Sequence, residues 1–189
     1  MSTLLTAPVS ARQFALFDQN SPLELVRGEI REMPRPGVGH GLVCKNLVVL
    51  LDRWAEKTRQ YAVICNDAGL QTESAPDTVR GPDVFVFELN AEHQTALEQG
   101  YLTTAPLLVA EVLSPFDRWK ELVAKLDEYF ATGTQEVWVV DPELRQLQVH
   151  RATASGPRLF FSTDAYRSEV VNEHEFAVSE LFRGLPESR

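Results

Sequence analysis

One carboxylate in an otherwise apolar segment constrains this chain more than any other feature. Residues 107–113 read LLVAEVL, a run typical of a β-strand that is buried on both faces. Glu111 interrupts this run, and burying a carboxylate without a partner costs several kcal/mol. Glu111 therefore requires a cation, a metal ion or strong hydrogen-bond donors.

A second carboxylate stands at the edge of another apolar segment. Asp83 follows Gly81-Pro82 and precedes the sequence VFVF at 84–87. Two carboxylates on neighbouring strands suit Mg²⁺ or Mn²⁺, which are bound by oxygen ligands and often keep several waters. The structural alternatives are a turn aspartate for Asp83 and a buried salt bridge for Glu111.

A helix predicted at 118–132 supplies a cation for this pair of acids. Lys125 lies on the margin of its apolar stripe, so its stem can follow apolar surface while its ammonium group reaches further. Because the helix begins shortly after Glu111, we expect Asp83, Glu111 and Lys125 to converge. The alternative for Lys125 is an ordinary solvated lysine. The predicted stripe consists of Trp119, Leu122, Val123, Leu126, Tyr129 and Phe130.

The rest of the chain predicts an α/β fold. With 189 residues and no repeat or long linker, a single domain over 1–189 is expected. It should include an N-terminal hairpin at about 22–33, a first long helix at about 40–57 and C-terminal strands at about 146–182. This order indicates a mixed central sheet flanked by helices. Further predicted elements are strands at 61–65, 69–72, 83–87, 135–140, 158–161 and 170–171, and a turn-rich connection at 75–80.

Composition limits the class of protein. The formal charge of −9 argues against a broad surface that coats nucleic acid, although it allows a local basic groove. No run of about 20 apolar residues and no signal peptide is seen, so we expect a cytoplasmic protein without a membrane partner. Cys44 and Cys65 predict free, buried thiols in a reducing compartment. The four histidines lack the spacing of a structural zinc site.

Several short motifs occur together in a specific order. They are Leu23-Glu24-Leu25-Val26-Arg27-Gly28-Glu29, His40, Pro82-Asp83, Glu111-Val112-Leu113-Ser114-Pro115, Lys125, Tyr129, Gly133, Glu136, Trp138 and Val140-Asp141-Pro142. In this combination the chain resembles the Uma-type putative restriction endonuclease family, a branch of the PD-(D/E)XK nuclease superfamily. The resemblance covers roughly residues 13–185.

The resemblance implies a restriction-endonuclease-like core with a metal site. Asp83 and Glu111 would be metal ligands, with the backbone carbonyl of Val112 as a third. The superfamily's usual lysine two positions after the acid is replaced by Leu113. Lys125 matches a lysine that this branch carries on the following helix.

Four further residues are accessory candidates at the same site. Glu24, and after it Glu29, would bring another carboxylate to the metal, or would belong to the polar face of the hairpin. His40 would lie at the start of a helix near the site, or would be an ordinary surface histidine. Ser114 would donate to a phosphate, or would cap the turn after the strand.

The predicted function is that of a metal-dependent endonuclease that hydrolyses phosphodiester bonds in DNA. Mg²⁺ or Mn²⁺ would activate water for attack on the phosphate, and Lys125 would stabilise the developing charge. Enzymes of this fold that cut both strands usually work in pairs, so a homodimer or higher homo-oligomer is expected. The rival prediction is a catalytically inactive, nuclease-like module that oligomerises or binds nucleic acid, which the acidic charge favours.

Overall fold

A computed structural model of the chain describes residues 7–17, 22–90, 96, 98, 100–115, 117–171 and 174–186. The two ends of the predicted domain, 1–6 and 187–189, lie outside the described residues. The described helices are α1 (Ala11–Phe14), α2 (Val38–Thr58) and α3 (Trp119–Thr132), and a 3-10 helix spans Val178–Phe182. The strands are β1 (Leu23–Val26), β2 (Glu29–Glu32), β3 (Tyr61–Cys65), β4 (Leu70–Glu73), β5 (Thr78–Arg80), β6 (Val84–Glu88), β7 (Leu108–Val112), β8 (Glu136–Asp141), β9 (Gln146–Arg151), β10 (Arg158–Phe161), β11 (Ala165–Arg167) and β12 (Glu175–Ala177).

The central sheet has six strands in the order β10-β9-β8-β7-β6-β3. The β7–β8 pair is parallel, and the other neighbouring pairs are antiparallel. A parallel pair needs a crossover connection, and α3 provides it between β7 and β8. The predicted α/β class with a mixed sheet flanked by helices is confirmed.

Two hydrophobic cores lie on opposite faces of this sheet. One contains the apolar stripe of α2 together with Val84 and Val86, and the other contains the stripe of α3 together with Phe85 and Val109. Successive side chains of a strand alternate between faces. Glu111, two residues beyond Val109, therefore lies on the α3 face of the sheet.

A smaller sheet in the order β2-β1-β5-β4 lies beside the central one. The β1–β2 hairpin turns at Arg27-Gly28, both with positive φ, and a Cβ on Gly28 would come within 2.3 Å of Pro8. The predicted connection at 75–80 is wrong in its last three residues, since β5 pairs with both β1 and β4. Three residues are too few to show a strand period.

Two other local predictions are corrected. The buried stripe of α3 includes Leu122, Leu126 and Tyr129, but Trp119 is 60% exposed and Val123 is 37% exposed, so the stripe is narrower than predicted. The strand predicted at 170–171 is a turn, in which the Ser168 hydroxyl accepts the N–H groups of both residues. Gly133 closes α3 in the left-handed conformation, with φ of 105°, as predicted.

Within the described ranges, none of the helices has the length and apolar character needed to cross a bilayer.

Candidate active site

The register between β6 and β7 brings the two predicted acids together. Val84 is paired with Ala110 in this antiparallel ladder. The ladder ends at this pair, with Asp83 directly before Val84 and Glu111 directly after Ala110. Both acids line the same cavity, and the Asp83 carboxylate is close enough to raise the pKa of Glu111.

A cavity of about 90 Å³ opens at this end of the two strands. Its size suits a few water molecules or an ion with part of its hydration shell. Its lining includes Glu24, His40, Asp83, Glu111, Val112, Ser114 and Lys125. Their convergence is a property of the fold, while their chemical roles stay predictions. Glu29, the second hairpin acid considered for the metal, is exposed and does not belong to this lining.

Asp83 is held on both of its oxygens. Oδ2 accepts the backbone N–H of Val112 at 2.7 Å, and Oδ1 lies 3.2 Å from Nε2 of His40. The contact with Val112 ties the carboxylate to the last residue of β7. Nearby, Asp117 Oδ2 accepts the backbone N–H of Ser114 at 2.6 Å, which orders the turn that follows the strand.

Glu111 has two partners on α3, and both contact the same oxygen. The Tyr129 hydroxyl donates to Oε1, and Lys125 Nζ lies 3.6 Å from it. Burial raises the pKa of Glu111 to about 7, and the Asp83 and Glu24 carboxylates act in the same direction against the opposing effect of Lys125. The protein therefore places Glu111 where its negative charge is not fully compensated.

Lys125 lies between two carboxylates. Its Nζ is 2.9 Å from Glu24 Oε1 in addition to the 3.6 Å contact with Glu111. Burial alone lowers the pKa of Lys125, but the two carboxylates outweigh it and the net pKa is raised. The two carboxylates therefore favour the charged form of Lys125.

A buried ion network behind Lys125 was not predicted from the sequence. Arg80 contacts both oxygens of Glu128 at 2.6 Å and Glu24 Oε2 at 2.8 Å. Burial raises the pKa of Glu24, but Lys125 and Arg80 outweigh this effect and lower it, so Glu24 is ionised. One feature of the sequence could have indicated this network: Glu128 follows Lys125 by one helical turn on α3, so the two side chains lie on the same side of the helix.

His40 and Cys44 form a second group beside Asp83. His40 Nδ1 lies 3.4 Å from Cys44 Sγ, and one ligating atom each from His40, Cys44 and Asp83 fall within 4.8 Å of one another. Burial alone lowers the pKa of His40, but Asp83 outweighs it and raises the net pKa. This group was not predicted from the sequence, because the spacing of the histidines was considered without the cysteines. His40 and Cys44 are four residues apart on one helix. Of the two thiols expected to be buried, Cys44 is half-buried and Cys65 is exposed.

The donors around the cavity fit a divalent cation. Asp67 also lines the cavity. Burial and the neighbouring Asp83 carboxylate raise the pKa of Asp67, and the same two causes raise the pKa of Glu111. Carboxylates that raise each other's pKa are stabilised when a cation binds between them. Asp83 and Glu111, with the imidazole of His40 beside them, are oxygen and nitrogen ligands of the kind that Mg²⁺ and Mn²⁺ accept.

Comparisons with known proteins agree with this architecture. No curated protein matches the chain. A crystal structure of a putative nuclease belonging to DUF820 from Anabaena variabilis is similar with a TM-score of 0.76 and 19% sequence identity, covering 93% of this chain and 98% of that one. At this identity the likeness shows the fold, which is restriction-endonuclease-like. A family model described as "Putative restriction endonuclease" matches residues 11–185. The chain therefore belongs to the Uma2 family of putative restriction endonucleases.

Proposed function

We propose that this protein is a metal-dependent endonuclease that hydrolyses phosphodiester bonds in DNA. The observation that carries the proposal is that Asp83, beside the end of β6, and Glu111 of β7 line one cavity together with Lys125. Membership of a family of putative restriction endonucleases supports the reaction class.

The metal ligands in this proposal are the carboxylates of Asp83 and Glu111 and the backbone carbonyl of Val112. His40 is an accessory ligand or a group that orients Asp83, which it contacts at 3.2 Å. Mg²⁺ or Mn²⁺ held by these groups would polarise a phosphoryl oxygen and lower the pKa of a water molecule that attacks phosphorus.

The protein's own groups complete the chemistry. Lys125 neutralises negative charge that develops on the phosphate in the transition state. Glu24, itself fixed by Arg80, holds the ammonium group in place, and the Tyr129 hydroxyl orients Glu111. Ser114, at the cavity wall, is an additional donor to the phosphate.

The substrate and the assembly follow from the same proposal. Arg35 lines the cavity and Arg118 lines the adjoining depression, so cations flank the carboxylates despite the net charge of −9. Such a local basic rim is the usual contact for a phosphate backbone. Because each site cuts one strand, cleavage of duplex DNA requires two sites, and we expect a homodimer or higher homo-oligomer.

Nicking of supercoiled plasmid with Mg²⁺ or Mn²⁺ tests the proposal. We expect Asp83→Asn and Glu111→Gln to lower the nicking rate by at least about 100-fold, the scale on which a removed electrostatic catalytic group acts. The matched control is Glu56→Gln, the same loss of charge at an exposed position of α2, which should nick like the wild type. Equal rates for the wild type and both site variants would exclude the proposed site.

One observation favours a second candidate, the inactive nuclease-like module that oligomerises or binds nucleic acid. The buried ion network needs no metal to pair its charges. Arg80 pairs with Glu24 and Glu128, and Lys125 pairs with Glu24. This candidate predicts DNA binding or oligomer formation in EDTA and no nicking with either metal. Mobility-shift and size-exclusion measurements on the same preparations separate the two candidates.

A further inference from the structure

The cluster formed by His40, Cys44 and Asp83 contains a thiol, which has no role in the proposed hydrolysis. The first two residues lie on one face of α2, four positions apart, and Asp83 faces them from the start of β6. His40 is 3.2 Å from Asp83 Oδ1 through Nε2 and 3.4 Å from Cys44 Sγ through Nδ1. The imidazole therefore lies between the thiol and the carboxylate, and one ligating atom from each of the three residues lies within 4.8 Å of the others.

This donor set selects other cations than a pair of carboxylates does. Thiolate and imidazole ligands suit Zn²⁺ and its substitute Co²⁺, whereas Mg²⁺ takes oxygen ligands. Tetrahedral zinc with bonds of about 2.0–2.3 Å keeps neighbouring ligand atoms roughly 3.3–3.8 Å apart. The 3.2 and 3.4 Å contacts use different imidazole nitrogens, and one ligating atom from each residue lies within 4.8 Å of the others. Rotation of the His40 ring and of the Cys44 side chain would bring one nitrogen, the sulfur and Oδ1 to the separations that one ion requires.

The surroundings define an open fourth position. Cys44 packs against the core on the α2 face of the sheet, whereas His40 and Asp83 line the cavity. An ion bound by all three would sit at the cavity floor, with its fourth position toward the cavity. Three protein ligands with one open position are a common zinc arrangement.

Asp83 makes this group relevant to the nuclease site. Its Oδ2 accepts the Val112 N–H, which leaves Oδ1, the oxygen beside His40, as the one that a cation would take. A cation held by Cys44 and a cation held by Glu111 would both need that oxygen. Occupation of one position therefore weakens the other.

We propose that His40, Cys44 and Asp83 bind Zn²⁺ and that zinc bound there inhibits the nuclease by withdrawing Asp83 from the Mg²⁺ or Mn²⁺ position. On binding, the thiol proton passes to solvent, and the thiolate and the Asp83 carboxylate neutralise the two positive charges of the ion. The binding step stands by itself, while the inhibition rests on the proposed nuclease function.

Titration with Co²⁺ alone, under a non-thiol reductant, tests the binding step. We expect one equivalent to produce a thiolate-to-cobalt charge-transfer band in the near ultraviolet, and Zn²⁺ to bleach it. The chain has two cysteines, so Cys65→Ser is the matched control and should keep the band, while Cys44→Ser should lose it. A wild-type protein without the band, or a Cys44→Ser protein that retains it, overturns the proposal.

Cys44→Ala covers the case in which serine disturbs the half-buried position. Its thermal midpoint should confirm folding, and its affinity for Zn²⁺ by calorimetry should fall at least about tenfold, the minimum scale for disturbing a metal site. In the nicking assay Cys44→Ala should remain active with Mn²⁺ and need at least about tenfold more Zn²⁺ for inhibition. Equal sensitivity to Zn²⁺ overturns the inhibition. If the wild type does not nick at all, the proposed function fails, and the cobalt band still decides the zinc site.

Discussion

Two buried glutamates on neighbouring parallel strands show how differently this fold treats the same group. Glu136 on β8 is fully buried, and Glu111 on β7 is 7% exposed. Glu136 accepts bonds at 2.7–3.0 Å from four donors: Trp138 Nε1, the Tyr166 and Ser168 hydroxyls, and Arg151 Nε. Glu111 has one hydroxyl and a more distant ammonium group, and it faces other carboxylates.

This difference teaches that burial of an acid does not by itself mark a functional site. A carboxylate surrounded by donors has its charge satisfied and stabilises the fold. Another carboxylate can lie at a cavity beside like charges, with fewer hydrogen-bond donors around it than its oxygens can accept. Such a carboxylate is stabilised by an added cation. The first description fits Glu136 and the second fits Glu111.

The largest expected effect comes from removing the satisfied carboxylate. Glu136→Ala would remove the buried partner of Arg151 and leave the Trp138, Tyr166 and Ser168 donors without their acceptor, so the free energy of unfolding should fall by about 3–5 kcal/mol. Urea denaturation measures it. The matched control is Glu169→Gln, which removes the exposed partner of the same arginine at 2.7 Å and should cost far less, because solvent screens this pair. Similar losses for both variants would remove the distinction.

The pH dependence of stability should separate Glu111 from Glu136. With the pKa of Glu111 raised from 4.5 to about 7, the native state binds more protons than the unfolded state between these values. The stabilising contribution of this proton is complete below pH 4.5 and is lost as the pH rises through 7, an effect of up to about 3 kcal/mol for the metal-free protein.

Glu111→Gln should remove this loss, so the variant should be more stable than the metal-free wild type at pH 8 and differ less from it at pH 5. Urea denaturation at the two pH values, in EDTA, gives the difference. A Glu111→Gln protein that is strongly destabilised at pH 8 would mean that Glu111 is a structural partner of Lys125, as Glu136 is of Arg151.

The sequence predicted the site's acids because their strands are local and strongly patterned. Strands 61–65 and 158–161 were predicted at their exact bounds, and the strand segments around Asp83 and Glu111 within one residue. The order of the elements and the apolar patterns led to the expectation that the acids converge. The pairing of β6 with β7, which brings them to one cavity, is a tertiary contact that those patterns do not contain.

The partners of each carboxylate were not predictable in the same way. Arg80 belongs to a strand of three residues that has no visible period, and its charge is buried only because Glu24 and Glu128 come to it from distant segments. The partners of Glu136 include Tyr166 and Ser168, 30 and 32 residues further along the chain. Whether a buried acid is satisfied depends on these tertiary contacts, which leave no local pattern.

The smallest expected effect is the stabilisation of the native protein by a bound metal ion. If Glu111 is the incompletely satisfied acid, Mn²⁺ at about ten times its dissociation constant should stabilise the native protein by about 1.4 kcal/mol and raise the thermal midpoint. Glu111→Gln should abolish this response, and the exposed control Glu56→Gln should keep it. Thermal melting with and without Mn²⁺ measures the shift at one pH. A shift that survives in Glu111→Gln would place the bound ion elsewhere, and Glu111 would then be a buried acid stabilised by Lys125 and Tyr129 alone.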